Sequence, residues 1–152
     1  MKKISFLVLL FLSSLWGYSQ VWDENFNYGT TTDTLDNPTK GGVNWKRHSG
    51  ATPMMYNTTS LSFPNYPLSG VGGSAEILNP QRAGDVNRNI PNVTSGSVYA
   101  SFLFKLDSVS VNGTTGDYFI HFSDTSGATS ITNFKARVFV KYSGTPNTYK
   151  IG

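Results

Sequence analysis

At 152 residues and without a cysteine, the chain is long enough for one domain, and that domain must be held by packing rather than by disulfides. The absence of thiols also excludes zinc–thiolate sites, haem attachment and cysteine nucleophiles. Twelve Lys and Arg stand against nine Asp and Glu, but Lys2 and Lys3 lie at the N-terminus; without them the count is ten against nine, and no block of like charge gives nucleic acid or an anionic membrane an electrostatic footing.

Lys2 and Lys3 precede an apolar run over 4–12 broken only by Ser5, after which Ser13, Ser14 and Gly17 restore polarity. This order of charge, apolar run and small residues is that of a secretory signal peptide, with Gly17 and Ser19 at the −3 and −1 positions and cleavage before Gln20. The run is far shorter than the roughly 20 apolar residues a membrane span needs. Residues 1–19 are therefore expected to be removed on export, to leave the domain 20–152 secreted or at the cell surface, with no membrane anchor of its own.

Over the mature part no segment keeps a helical period. Short apolar or alternating runs separated by Gly, Asn, Pro and Ser predict strands at 21–28, 43–48 and 60–63, with weaker ones at 75–78 and 85–90. The second half alternates more clearly. Residues 97–106 place Val98, Ala100, Phe102, Phe104 and Leu106 on one face, with Tyr99 on the other. Residues 117–123 set Tyr118, Ile120 and Phe122 against Phe119 and His121; residues 134–142 set Phe134, Ala136, Val138, Val140 and Tyr142 against Lys135, Arg137, Phe139 and Lys141. Such alternation predicts a half-buried antiparallel sheet, reversed at Asn112-Gly113 and Ser126-Gly127. The fold class is all-β, an antiparallel β-sandwich. A further strand pattern occupies 149–152, where an edge would need cover. With sandwiches commonly running to about 200–250 residues, the chain reads as the N-terminal part of a longer protein.

The chemistry these residues offer is narrow. Glycoside hydrolysis needs two carboxylates about 5–9 Å apart, which on a strand means positions i and i+2, and no two acidic residues here have that spacing. His48 and His121 belong to no recognisable triad or ligand cluster. Asp85-Val86-Asn87-Arg88-Asn89 begins like a calcium loop, but Ile90 and Gly96 stand where an EF-hand needs Gly and Glu. A looser calcium site on Asp85, or on Asp33 and Asp36, is the one cofactor the sequence admits; Asp and Asn making turns is the plainer reading. The outward parity of the second half collects Tyr99, Phe119, His121, Arg137 and Phe139. Rings beside hydrogen-bonding groups suit a sugar, whose apolar face packs on the ring while polar groups take its hydroxyls. A second layer covering those rings is the alternative.

An ordered series of motifs runs through the mature chain. It opens with Glu24-Asn25-Phe26-Asn27-Tyr28, then Trp45 with His48-Ser49-Gly50, then Leu61-Ser62-Phe63-Pro64-Asn65-Tyr66-Pro67 and Gly70-Val71-Gly72-Gly73. Gly84-Asp85-Val86-Asn87-Arg88, Gly96-Ser97-Val98-Tyr99-Ala100-Ser101-Phe102, Gly116-Asp117-Tyr118-Phe119 and Arg137-Val138-Phe139-Val140-Lys141 follow. In this series the chain resembles the N-terminal domain of a group of exported proteins of Bacteroidota-type bacteria, which looks like a concanavalin A-like lectin/glucanase jelly roll. The resemblance implies that fold, incomplete at its C-terminus, together with export; such proteins often end in a type IX secretion sorting domain, which this sequence lacks. It brings no catalytic residues. Asp33-Thr34-Leu35 and Asp107-Ser108-Val109 also resemble the Asp-Ser/Thr-aliphatic sites O-glycosylated in such proteins, which marks Thr34 and Ser108. The expected function is a non-enzymatic, lectin-like module that binds polysaccharide or cell-surface glycan within a larger protein. The alternatives are the non-catalytic part of a polysaccharide-degrading enzyme with its active site beyond Gly152, and a structural display domain.

Overall fold

The structure is a computed structural model, described here for residues 22–78, 84–109, 116–127, 129 and 131–152. The leader at 1–19 and the turn at Asn112-Gly113 lie outside these residues. Among them there is no α-helix, and about 31 % are in strands of open antiparallel sheets. One sheet orders β1 (Asp33–Thr34), β3 (Met55–Asn57) and β4 (Ser74–Glu76) as β1-β3-β4. A two-stranded ribbon pairs β2 (Trp45–Ser49) with β5 (Asp85–Arg88). The third sheet is β6-β7-β8, from Asp117–Ser123, Phe134–Tyr142 and Tyr149–Ile151.

Three expected strands do not form. At 22–28 side chains capture the amides a ladder would use: the Phe26 amide donates to Glu24 Oε1 at 2.6 Å and the Asn27 amide to Asn25 Oδ1 at 3.2 Å. Phe26 is left at φ 51°. At 60–63 the chain closes a loop instead, since the Phe63 amide donates to Ser69 Oγ at 2.6 Å and the Gly70 amide to the Leu61 carbonyl at 3.0 Å. Residues 97–106 keep their alternating composition but find no ladder partner among the described residues. Phe102 and Phe104 instead rest their rings on Phe119, at 6.1 and 5.5 Å.

The N-terminal segment is fixed by close backbone approach. The Gly73 amide donates to the Asn25 carbonyl at 2.9 Å, and a Cβ on Gly72 would lie 1.9 Å from that same oxygen. Only glycine admits this approach, and Gly72 sits at φ 80°, which glycine also favours. Among the described residues the buried apolar side chains are Leu35, Tyr56 and Ile131. Leu35 continues the β1–β3 ladder with a 2.9 Å bond from its amide to the Met54 carbonyl. Tyr56 meets Tyr28 edge-on at 5.7 Å and donates its hydroxyl to the Gly29 carbonyl at 2.5 Å.

The β2–β5 ribbon has two unlike faces. Trp45 and Arg88, register partners, reach the N-terminal segment. There Glu24 Oε2 accepts from Arg88, from the Tyr28 hydroxyl at 2.5 Å and from Trp45 Nε1 at 3.2 Å, while Arg88 lies 5.0 Å over Trp22 and Phe26 stacks on Trp45. Burial, and then the hydrogen bond to Glu24, push the Tyr28 phenol up to about 12. Asp85 and Asn87, which alternate with those residues, instead reach Tyr118 of β6 and Gly127 in the turn that follows it.

Candidate functional site

The β6–β7 sheet owes its site to two compensating bulges. Tyr118 pairs with Phe139 and Ile120 with Val138, so Phe119 is one residue too many on β6; Phe122 then pairs with Lys135, so β7 carries an extra residue around Ala136. Ala136 sits at φ 45°, a left-handed conformation that marks the irregularity. Each bulge turns the side chains beyond it to the other face.

Tyr118 and Phe134, expected on the core face, therefore join His121, Arg137 and Phe139. His121 lies 4.5 Å from Phe134 and 5.5 Å from Tyr118 between ring centroids, and Phe139 lies 6.1 Å from Tyr118. The Arg137 guanidinium sits 4.4 Å over the Phe134 ring and 5.2 Å over Tyr118. Phe119, expected beside His121, turns away to Phe102 and Phe104. Tyr99 stands 91 % exposed on the extended segment and shares no ring contact with the cluster among the described residues. Of the five ligand candidates the fold thus assembles His121, Arg137 and Phe139, and adds Tyr118 and Phe134. Tyr118 and Phe134 lay within the predicted strands, but only the bulges reveal their face.

The ribbon closes one end of this face. Tyr118 donates to Asp85 Oδ2 at 3.2 Å, as does Ser49 at 2.6 Å. Burial, and then the Asp85 carboxylate, push the Tyr118 phenol up and keep it a donor. Asn87 clamps the turn after β6, its Oδ1 accepting from the Gly127 amide at 2.8 Å and its Nδ2 donating to the Gly127 carbonyl at 2.7 Å. The same ribbon borders a groove of about 290 Å³ whose polar lining includes Asn44, Lys46, Asn87, Arg88 and Asn89. Its two cations are engaged, Arg88 with Glu24 and Lys46 with the Gly42 carbonyl.

Asn87 Nδ2 also lies 3.0 Å from His48 Nδ1. An amide nitrogen only donates, so a hydrogen bond here takes an unprotonated Nδ1; Nδ2 divides its two hydrogens between this nitrogen and the Gly127 and Lys46 carbonyls, at 2.7 and 3.1 Å. His48 Nε2 is buried with no hydrogen-bond partner among the described residues. Burial holds His48 below its ordinary 6.5, opposed by the charge of Asp85 and reinforced by that of His121. The unfolded chain takes up this proton near 6.5 and the folded chain only at lower pH, so the stability His48 contributes is full above 6.5 and is lost as pH falls through the folded value. Thermal midpoints of the native chain should fall on acidification from pH 7 to 5, and His48→Asn should flatten that dependence. An NMR titration placing the His48 midpoint at or above 6.5 would contradict the assignment.

Each carboxylate considered for calcium has a protein donor, although Asp36 Oδ1 is buried with no hydrogen-bond partner among the described residues. Besides Asp85, Asp33 accepts from the Thr34 amide at 2.7 Å and Asn37 Nδ2 at 2.8 Å, and Asp36 pairs with Arg47 at 3.0 Å. Among the described residues no three His, Asp or Glu side chains gather as a metal-binding group. Thr34 lies half-buried in β1, whereas Ser108 is exposed beside the Lys105–Asp107 ion pair.

In class, then, the molecule is an all-β protein of antiparallel sheets carrying a ring-and-cation cluster on one sheet face. No family model, curated protein or solved structure matches the chain.

Proposed function

We propose that the protein is an exported, non-catalytic β-sandwich module of concanavalin A-like, jelly-roll type, which binds carbohydrate within a larger cell-surface or secreted protein. The observation that carries the reading is the assembly of Tyr118, Phe134 and Phe139 with Arg137 and His121 on one sheet face. Rings pack against the apolar faces of pyranoses, and the guanidinium and imidazole supply hydrogen bonds for their hydroxyls. Asp85 is a carboxylate at this face, held by Ser49 and Tyr118; hydrolysis would ask for a second one across the bond.

The test is retardation of the full chain in native gels containing a panel of polysaccharides. At least one should retard it, and Phe139→Ala or Arg137→Ala should weaken retention about three- to tenfold while the far-ultraviolet spectrum stays unchanged. Phe63→Ala, on an exposed loop, should leave it as it was. A chain that migrates freely through a broad panel sinks the reading.

A further inference from the structure

The face that carries Arg137 also carries a pair of like charges. Lys141 on β7 and Lys150 on β8 are register partners, directly opposite one another across the ladder. Alternation from Phe139 through Val140 places Lys141 on the face of Phe139, and register partners share a face. Like charges directly opposite one another on a ladder are as a rule destabilising.

Among the described residues no carboxylate forms an ion pair with either lysine. The ion pairs among the described residues are Arg47–Asp36, Arg88–Glu24 and Lys105–Asp107, none of which uses Arg137, Lys141 or Lys150. Asp117, the acidic residue of β6, pairs with Val140 and so projects from the opposite face. Asp85, at the ribbon end, already takes the Ser49 and Tyr118 hydroxyls. Arg137 and Lys150 are exposed and Lys141 is half-buried. Three cations thus share one face with the rings of Tyr118, Phe134 and Phe139.

We infer that this face binds an acidic polysaccharide, its carboxylate or sulfate groups set against Arg137, Lys141 and Lys150 and its sugar rings against Phe134 and Phe139. The inference rests on the carbohydrate-binding reading and narrows it to polymers bearing anionic groups. Arg137 and Lys141 are four residues apart on a strand rising about 3.3 Å per residue, and Lys150 lies one strand spacing of about 4.8 Å away. The cations therefore span about 13 Å, more than one monosaccharide and less than a long polymer. Such sparse charge suits a polymer with about one anion per sugar. A nucleic acid duplex, with one charge per about 1.7 Å, would meet too few cations. The anion also relieves the Lys141–Lys150 repulsion.

The experiment measures retention of the full chain by polygalacturonate, a sulfated galactan, a neutral β-glucan and an oligothymidylate, at low and at raised salt. The expected result is retention by the polyuronate or the sulfated polymer, weakened by salt; the one that binds identifies carboxylate or sulfate as the anion. Arg137→Gln should lose about tenfold in affinity, and Lys141→Gln should lose affinity while leaving the thermal midpoint unchanged or slightly higher, since it removes a repulsion. A merely structural lysine would show neither the affinity loss nor its salt dependence. Retention by the neutral glucan alone overturns the inference and leaves the carbohydrate-binding reading standing. No retention by any polysaccharide overturns both. Oligothymidylate bound as tightly as the acidic polysaccharides overturns the inference by revealing a general polyanion surface.

Discussion

Replacing Arg88 by Met is expected to cost the fold about 3 kcal/mol, the low end of the loss caused by removing one partner of a buried ion pair. The Glu24 side chain is 8 % exposed and that of Arg88 21 %, so the carboxylate left behind would have little water to turn to. It would keep three neutral donors, the Tyr28 hydroxyl, Trp45 Nε1 and the Phe26 amide, which is why the loss should not reach the high end. The double variant Glu24→Gln with Arg88→Met should recover much of the loss, because no uncompensated charge then remains. Urea denaturation of the native chain, the two single variants and the double variant measures all four corners. A cost below about 1 kcal/mol for Arg88→Met is the behaviour of a solvent-screened pair and would refute the assignment of a buried pair here.

Leu35→Ala should destabilise the chain by about 3 kcal/mol, through lost burial and the cavity left behind. Leu35 is wholly buried, and Gly41 lies so close that an added Cβ there would come within 2.8 Å of Leu35 Cδ1. Hydrogen bonds also brace its surroundings: the Leu35 amide is tied to Met54, and the Gly42 amide to the Asn37 carbonyl at 2.8 Å. A backbone so held has little freedom to collapse into the void. Val43→Ala, 71 % exposed in the short 3-10 turn next door, should change stability by no more than about 0.5 kcal/mol. Similar urea midpoints for the two variants would mean that Leu35 is not part of the packed core.

The strands that could be read most sharply are the long ones. The alternating runs at 117–123 and 134–142 coincide with β6 and β7. Several turns of a period of two leave little ambiguity. β1 and β3, at two and three residues, are too short to show any period, and neither is legible in the sequence. The run at 97–106 has the right period and no assigned strand among the described residues. A pattern qualifies a segment for a sheet, but another strand must supply its hydrogen bonds. The candidate site was legible as residue types and partly wrong as a surface. Two single-residue bulges moved Tyr118 and Phe134 onto the face of His121 and Arg137 and carried Phe119 off it. A bulge adds one residue without breaking the run of apolar and polar types, so parity counted along the chain passes straight over it.

The sequence by itself determined the all-β character, the two longest strands, the exclusion of thiol chemistry and the lack of strand-spaced carboxylates. Each of these depends on composition or on a period within a few neighbouring residues. Only the tertiary structure decided that Glu24 meets Arg88 across 64 residues of chain, that Lys141 faces Lys150, and that the rings gather under Arg137. These depend on register and on which strand lies beside which. Register is fixed by the sum of many weak cross-strand contacts and by bulges, and no local window of the chain contains that sum.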